Sequence, residues 1–144
     1  MVNVAVFGVT GRMGRCLVRA LRESDDLALS GALASAGSAT LGRDAGDVTE
    51  TGPAGVAVTA DRVRALEGAD VLIDFTLPSA TVANLEVAAA RGVPAVIGTT
   101  GLDAGQQAAV RAVSRELPVL MAPNMSLGVN LMFSLVARAA AALG

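Results

Sequence analysis

Two kinds of hydrophobic pattern alternate along the chain. Short apolar runs are typical of strands buried on both faces of a parallel sheet, and they occupy residues 2–7, 27–34, 56–58, 70–75, 95–97 and 119–122. Segments with apolar residues at every third or fourth position predict helices, which run from residue 13 to the acidic pair 25–26 and over 61–66, 78–90, 102–116 and 128–143. Residues 35–55 are rich in Gly, Ser, Ala and Thr and predict a loop.

This alternation predicts an α/β fold, a doubly wound parallel sheet (Rossmann-like) of about six strands. A chain of 144 residues is long enough for one domain with a real core and too short for two, so a single domain is expected. On the first helix, the apolar residues Met13, Leu17, Ala20 and Leu21 are expected to face the core. Cys16, on the same helix, is expected to be a buried spacer.

The composition excludes several classes of protein. Hydrophobic residues make up 53% of the chain and charged residues 17%, which excludes a disordered acidic or basic tail. The 11 basic and 13 acidic residues are interspersed and give a formal charge of −2, so no nucleic-acid partner is expected. The absence of His argues against a metal site, and a single Cys excludes a disulfide within the chain.

The terminal segments predict neither export nor membrane insertion. Residues 1–7 lack the basic segment and cleavage site of a signal peptide. The apolar stretch 131–143 is shorter than the roughly 20 residues that span a bilayer, and it contains Arg138. A single cysteine suits a reducing compartment, so a cytoplasmic location is expected.

A glycine-rich turn joins the first strand to the first helix, and it consists of Gly8, Val9, Thr10, Gly11, Arg12, Met13 and Gly14. At this position backbone N–H groups face an anion with the helix dipole behind them, as in sites for a dinucleotide pyrophosphate. Gly8 would allow the tight turn, Gly11 the close approach of a phosphate and Gly14 the tight packing of the helix. The alternative is a plain strand-to-helix turn without a ligand.

The residue that usually binds the adenosine ribose is missing. In this fold an acid at the end of the second strand accepts hydrogen bonds from the ribose hydroxyls, but here Ala34 and Ser35 occupy the place. Arg12 on the turn is a candidate to meet a 2′-phosphate instead, with Ser35 as a second donor. Arg12 is equally well explained as a solvated surface arginine, so the choice between NAD and NADP stays open.

Small and polar residues follow three of the later strands, and they are Phe75 and Thr76; Gly98, Thr99, Thr100 and Gly101; and Pro123, Asn124, Met125 and Ser126. Ligands of such sheets bind at the carboxyl ends of strands, so these residues are expected to line one crevice. Asn124 and Ser126 are also explained as turn or capping residues. Asp74 is interpreted as structural, and Asp103 with Gln106 matches a capping box.

Five motifs, taken in order, carry a resemblance to a known family, and they lie at residues 8–14, 42–46, 73–76, 97–103 and 122–130. Together they cover essentially the whole chain and resemble the 4-hydroxy-tetrahydrodipicolinate reductase family, also called dihydrodipicolinate reductases. The resemblance implies a cytoplasmic enzyme of the diaminopimelate route to lysine, which reduces a cyclic imine-type substrate with hydride from NADH or NADPH. It also implies that residues 8–13, 98–100 and 122–125 contact the cofactor.

The motifs and the resemblance together lead to one set of predicted cofactor contacts. The set is Gly8, Val9, Thr10, Gly11, Arg12, Met13, Gly14, Ser35, Phe75, Thr76, Gly98, Thr99, Thr100, Ala122, Pro123, Asn124 and Met125. No catalytic residue and no metal ligand is predicted within this chain.

The chain departs from the family pattern at four points. Ala34 and Ser35 replace an acid sometimes followed by Arg, Met125 replaces a usual Phe, and Leu77 stands where some relatives have Arg. The fourth departure is larger, because the family's second domain carries a paired-histidine motif and a nearby Lys, and this chain contains neither residue type. The resemblance therefore implies that the last helix, residues 128–144, leads to a catalytic domain absent here.

Three hypotheses follow for the function of the chain. It is the cofactor-binding portion of the reductase and inactive alone, or a non-catalytic NAD(P)-binding regulator, or one subunit of a split reductase. The expected partners are a dinucleotide and, only with the missing domain, the small-molecule substrate. A monomer or weak dimer is expected for this chain and a homotetramer for a complete form.

Overall fold

A computed structural model describes all residues, 1–144. The six strands are β1 Val2–Phe7, β2 Leu27–Leu33, β3 Val58–Thr59, β4 Val71–Asp74, β5 Ala95–Ile97 and β6 Val119–Met121. The six helices are α1 Arg12–Arg22, α2 Ala45–Val48, α3 Arg62–Ala65, α4 Pro78–Ala90, α5 Ala104–Val113 and α6 Leu127–Leu143.

The strands form one parallel sheet in the order β3-β2-β1-β4-β5-β6. The chain moves outward from β1 to β3, then returns to the other side of β1 for β4. Strand order therefore reverses between β1 and β4, where ligands of doubly wound sheets bind. The predicted Rossmann-like fold is confirmed.

Strand β1 is buried on both faces, as its apolar run predicts. Val4 and Val6 point into a cluster beneath α1, whereas Ala5 and Phe7 point into a cluster beneath α4 and α5. This alternation follows from the two-residue repeat of a strand. The central strand thus joins the two halves of the core and places its carboxyl end, at Phe7, between them.

The buried face of α1 differs from the predicted one. Gly14, Val18 and Leu21 are buried, whereas Met13 is 47% exposed and Cys16 is exposed. The reason is that the backbone at Gly14 packs directly on the glycine turn, which sets the rotation of the helix about its axis. A prediction from apolar residues does not count glycine as a core-facing residue. The predicted apolar face of α1 is therefore rotated by about one residue from the observed one.

The segment predicted as a loop, residues 35–55, contains the short helix α2. The Asp44 carboxylate accepts hydrogen bonds from the backbone N–H groups of Gly46, Asp47, Ala54 and Gly55. These bonds, chiefly that of Ala54, hold the pKa of Asp44 below its ordinary value. The stability they contribute is present at neutral pH and is lost as the pH falls through this lowered pKa.

Helix α6 begins after Ser126, whose hydroxyl accepts from the N–H of Val129. None of its residues is buried, and its large apolar side chains Leu131, Phe133 and Val136 are all more than half exposed. The helix therefore projects away from the sheet rather than packing on it. No helix in the structure has the length and apolar character needed to cross a membrane.

Candidate functional site

The glycine turn between β1 and α1 is tied to the end of β2. The N–H groups of Gly8 and Val9 both donate to the carbonyl of Leu33, at 3.0 and 3.1 Å. Gly8 has φ of +84°, and a Cβ there would lie 2.6 Å from the carbonyl oxygen of Phe75. Only glycine suits this position, and the predicted tight turn is confirmed.

Gly14 brings the first turn of α1 against the same loop. A Cβ on Gly14 would overlap the carbonyl oxygen of Gly8 and would lie 2.6 Å from the Cα of Val9. By contrast, a Cβ on Gly11 would meet only the Gly8 oxygen, at 3.2 Å. Gly14 is therefore needed for packing, as predicted, whereas nothing in the protein fills the space beside Gly11.

The N-terminus of α1 carries unsatisfied backbone donors. Its N-cap residue, Gly11, has no side chain to accept a hydrogen bond, and the N–H groups of Arg12, Met13 and Gly14 donate to no protein group. The helices α2, α3, α5 and α6 are capped by side chains, and α4, which also lacks a side-chain cap, begins with a proline that has no N–H to satisfy. The free N–H groups and the positive end of the helix dipole at α1 suit an anion.

Two cavities open on either side of this turn. The β2-side cavity has a volume of about 530 Å³ and is lined by Gly8, Thr10, Gly11, Leu33, Ala34, Ser35, Ala36, Ala60, Arg62, Phe75, Thr76, Leu77, Ser79, Ala80 and Asn84. The β5-side cavity has a volume of about 510 Å³ and is lined by Met13, Leu17, Ile73, Phe75, Val96, Gly98, Ala122, Pro123, Asn124, Met125 and Ser126. Phe75 lines both, so this residue lies where the two cavities adjoin.

The position of Phe75 depends on Gly98. A Cβ on Gly98 would overlap the ring of Phe75, and the N–H of Phe75 donates to the carbonyl of Phe7 at 3.1 Å. The ring therefore lies directly against the backbone at the end of β5, while the backbone of Phe75 continues the β1–β4 ladder. This close approach explains the glycine that follows β5.

Most of the predicted contacts line one of the two cavities, but five do not. Val9 and Gly14 are buried in the turn, and Thr99 is buried at the end of β5 with a hydroxyl that has no hydrogen-bond partner. Arg12 and Thr100 are exposed. Val9 is fully buried and its N–H already donates to Leu33, so its part in holding a cofactor stays a prediction.

A buried polar network forms one wall of the β2-side cavity. The carboxylate of Asp74 accepts from the N–H and hydroxyl of Thr76, at 2.8 and 2.6 Å, and from the amide of Asn84 at 3.0 Å. The Oδ1 atom of Asn84 in turn accepts from Nε of Arg62 at 2.7 Å. The structural role predicted for Asp74 is confirmed: it holds the loop that carries Phe75 and Thr76.

Replacing this carboxylate is expected to destabilise the fold. In Asp74→Ala the donors of Thr76 and Asn84 lose their buried acceptor, which should lower the free energy of unfolding by about 3 kcal/mol. Urea denaturation measures the change. Asp70→Ala is the matched control, because Asp70 is exposed and accepts one hydrogen bond, from the N–H of Asn3. Equal effects of the two substitutions would contradict the role of the network.

The loop after β6 is organised by its own side chains. Asn124 accepts from the N–H of Ser126 at 2.9 Å, and Asn130 donates to the carbonyls of both residues. The turn and capping interpretation of Asn124 and Ser126 is therefore confirmed. The same loop lines the β5-side cavity, so a ligand contact there stays a prediction.

Comparison with known proteins identifies the family. Residues 2–125 match the family described as dihydrodipicolinate reductase, N-terminus. The chain belongs to this reductase family. It is 46% identical over 142 residues to the 4-hydroxy-tetrahydrodipicolinate reductase of Nitrosomonas europaea, and this covers 99% of the chain and 53% of the relative. The corresponding enzyme of Thiobacillus denitrificans is 50% identical over 142 residues, with the same shares covered.

A solved structure extends the comparison to the fold. Dipicolinate-bound dihydrodipicolinate reductase from Paenisporosarcina sp. TG-14 superposes with a TM-score of 0.78 at 26% identity, covering 98% of this chain and 54% of that chain. The chain thus spans about half the length of the relatives it matches. It corresponds to the N-terminal, NAD(P)-binding domain of the reductase family, which confirms the predicted family and cofactor class.

Several residues of the site were missed by sequence reasoning. They line the β2-side cavity from α3 and α4, and they are Arg62, Ser79, Ala80 and Asn84. The available signal was weak, because β3 has only two residues and the helix predicted over 61–66 is short. The structure shows that Asp61 caps this helix by accepting from the N–H groups of Val63 and Arg64.

Proposed function

We propose that this chain is the part of a 4-hydroxy-tetrahydrodipicolinate reductase that holds NADH or NADPH for hydride transfer to the cyclic substrate of the diaminopimelate route to lysine. The observation that carries the proposal is the uncapped N-terminus of α1, which lies between two cavities at the point where the strand order reverses. Such N–H groups at an exposed helix N-terminus are otherwise satisfied by water, but here they lie between two cavities, where a bound anion can accept from them.

The turn suits the pyrophosphate of a dinucleotide. The N–H groups of Arg12, Met13 and Gly14 are available as donors, and the bare backbone at Gly11 lets a phosphate oxygen come close to them. The adenosine would then lie in the β2-side cavity, because the ribose of a dinucleotide sits at the end of the second strand.

The β5-side cavity suits the nicotinamide. Its walls combine the apolar surfaces of Phe75, Met125 and Pro123 with polar groups of the loop after β6, as expected for a planar ring bearing one carboxamide. When bound, the cofactor supplies the hydride, and this chain's residues position its ring and exclude water from one face.

The proposal assigns the substrate and its proton donor to the other half of the enzyme. The relatives are about twice as long as this chain, which contains no His and no Lys. Residues 1–144 would then be the dinucleotide-binding domain, with the exposed helix α6 leading to or packing against the substrate domain. The cytoplasmic location, and the homotetramer expected of a complete form, belong to the same proposal.

Cofactor titration tests the proposal. The chain has no Trp or Tyr, so the emission observed above 400 nm on roughly 340 nm excitation is that of the reduced nicotinamide, and its enhancement reports binding. We expect saturable binding of NADH, NADPH or both, and no reduction of the dipicolinate precursor by this chain alone. Absence of binding by both dinucleotides would overturn the cofactor role. Turnover by the isolated chain would overturn the assignment of catalysis to the other half.

A further inference from the structure

The β2-side cavity contains an arginine where an adenosine ribose is expected. In dinucleotide-binding folds the residue at the end of β2 decides what lies beside the ribose 2′ position. Here that place is taken by Ala34, which is buried, and by Ser35, which is exposed. Neither residue supplies a carboxylate to accept from a ribose hydroxyl or to repel a phosphate.

Arg62 is brought to the same place by the neighbouring strand. Strand β3 pairs in parallel with β2, and the N–H of Ala34 donates to the carbonyl of Thr59 at 3.0 Å. Arg62 follows three residues later, at the start of α3. It therefore lines the β2-side cavity together with Ala34 and Ser35.

Arg62 is the single charged side chain in the lining of this cavity. It forms no ion pair, and its one hydrogen bond, from Nε to Asn84, leaves the two terminal nitrogens without a protein acceptor. The nearby acids are already engaged, because Asp74 accepts from Thr76 and Asn84, and Asp61 caps α3. The guanidinium is thus held in one orientation and is not neutralised by a neighbouring carboxylate.

We propose that Arg62 binds the 2′-phosphate of NADPH and makes NADPH the preferred cofactor of this chain. The proposal rests on the cofactor role proposed above and adds the identity of the dinucleotide. A phosphomonoester matches the free face of a guanidinium, which can donate two parallel hydrogen bonds to it. Ser35 is placed to donate a further one. Arg12, the candidate from the sequence, is exposed at the start of α1 and does not line this cavity.

The test compares NADPH with NADH on the unmodified chain and on Arg62→Gln. Gln keeps an amide donor for Asn84 but removes the charge. The unmodified chain should bind NADPH at least about tenfold more tightly than NADH. Arg62→Gln should weaken NADPH binding roughly 10- to 100-fold and change NADH binding by less than about threefold, because only NADPH carries the 2′-phosphate.

Two further variants control for charge and position. Arg64→Gln removes an arginine of the same helix that does not line this cavity, so both affinities should be unchanged. Arg62→Lys should retain part of the NADPH preference, because it keeps the positive charge but loses the paired donors. Adenosine 2′,5′-bisphosphate and adenosine 5′-diphosphate, each used as a competitor of the dinucleotide, repeat the comparison without the nicotinamide. Only the 2′,5′-bisphosphate should lose affinity in Arg62→Gln.

The outcomes separate this proposal from the one beneath it. Equal weakening of NADH and NADPH binding in Arg62→Gln would show that Arg62 supports the adenine or the fold. Unchanged NADPH binding would show that Arg62 does not contribute to binding. Each result overturns the inference about Arg62, while the cofactor role stands. If Arg62→Gln does not fold, Ala34→Glu places a carboxylate in the same cavity and should reverse the preference toward NADH. An unchanged preference in Ala34→Glu would also overturn it. Failure of the unmodified chain to bind either dinucleotide overturns both proposals.

Discussion

Gly11→Val is expected to weaken dinucleotide binding by roughly 100-fold or more while leaving the fold intact, because the loss of direct phosphate hydrogen bonds costs about 1.5–3 kcal/mol each. The backbone at Gly11 has φ of −74° and ψ of 168°, a conformation open to any residue. A Cβ there would meet one protein atom, the Gly8 oxygen, at 3.2 Å. The branched side chain would instead occupy the space through which a phosphate reaches the N–H groups of Arg12 and Met13.

The measurement is the dissociation constant of NADPH and NADH by nicotinamide fluorescence, with the thermal midpoint as the check on folding. Gly11→Ala should fall between the original chain and Gly11→Val, since one methyl group only partly blocks the approach. Unchanged affinity in Gly11→Val would rule out a pyrophosphate site at this turn. A large loss of stability would show that the glycine serves the fold rather than the ligand.

Gly14→Val, three residues away, is expected to act on the fold itself. It should lower the free energy of unfolding by about 4 kcal/mol, at the upper end of the range for overpacking substitutions. A Cβ on Gly14 would overlap the backbone of Gly8 and Val9. Neither neighbour can move, because the N–H groups of Gly8 and Val9 are both bonded to Leu33. Helix α1 must therefore shift away from the sheet and uncover Val18 and Leu21, which it buries.

Urea denaturation of Gly14→Val against Gly128→Val checks this expectation. Gly128 also lies in a helix, but a Cβ there would have one neighbour, the Ser126 hydroxyl, at 4.0 Å. The control should change stability by less than about 1 kcal/mol, the difference in helix propensity. If both variants unfold at the same urea concentration, close packing at Gly14 does not hold α1 in place.

Much of the architecture is encoded in short stretches of sequence. Helix α4 and strand β5 have the predicted bounds, Pro78–Ala90 and Ala95–Ile97. The capping box of Asp103 and Gln106 is present as predicted, with both of its hydrogen bonds. These features depend on neighbours within a few positions along the chain, so the local pattern is sufficient to predict them.

Features that depend on distant residues could not be read in this way. The Asp44 carboxylate accepts hydrogen bonds from N–H groups up to 11 residues away, and these bonds order a segment whose sequence has no hydrophobic periodicity. The rotation of α1 depends on the packing of Gly14 against a turn, which a hydrophobic pattern does not register. The exposure of α6 depends on the absence of any element beside it, although its own pattern is that of a packing helix.

The sequence by itself determined the alternation of strands and helices, the glycine turn and the family, because each is carried by local patterns or by motifs in a fixed order. Only the tertiary structure decided which side chains surround the turn. Arg62 is separated from Ser35 by 26 intervening residues in the sequence, yet both line one cavity because β3 pairs with β2. Strand order is a property of the whole sheet. The position of Arg62, the one charged side chain of this cavity, therefore follows only from the assembled sheet.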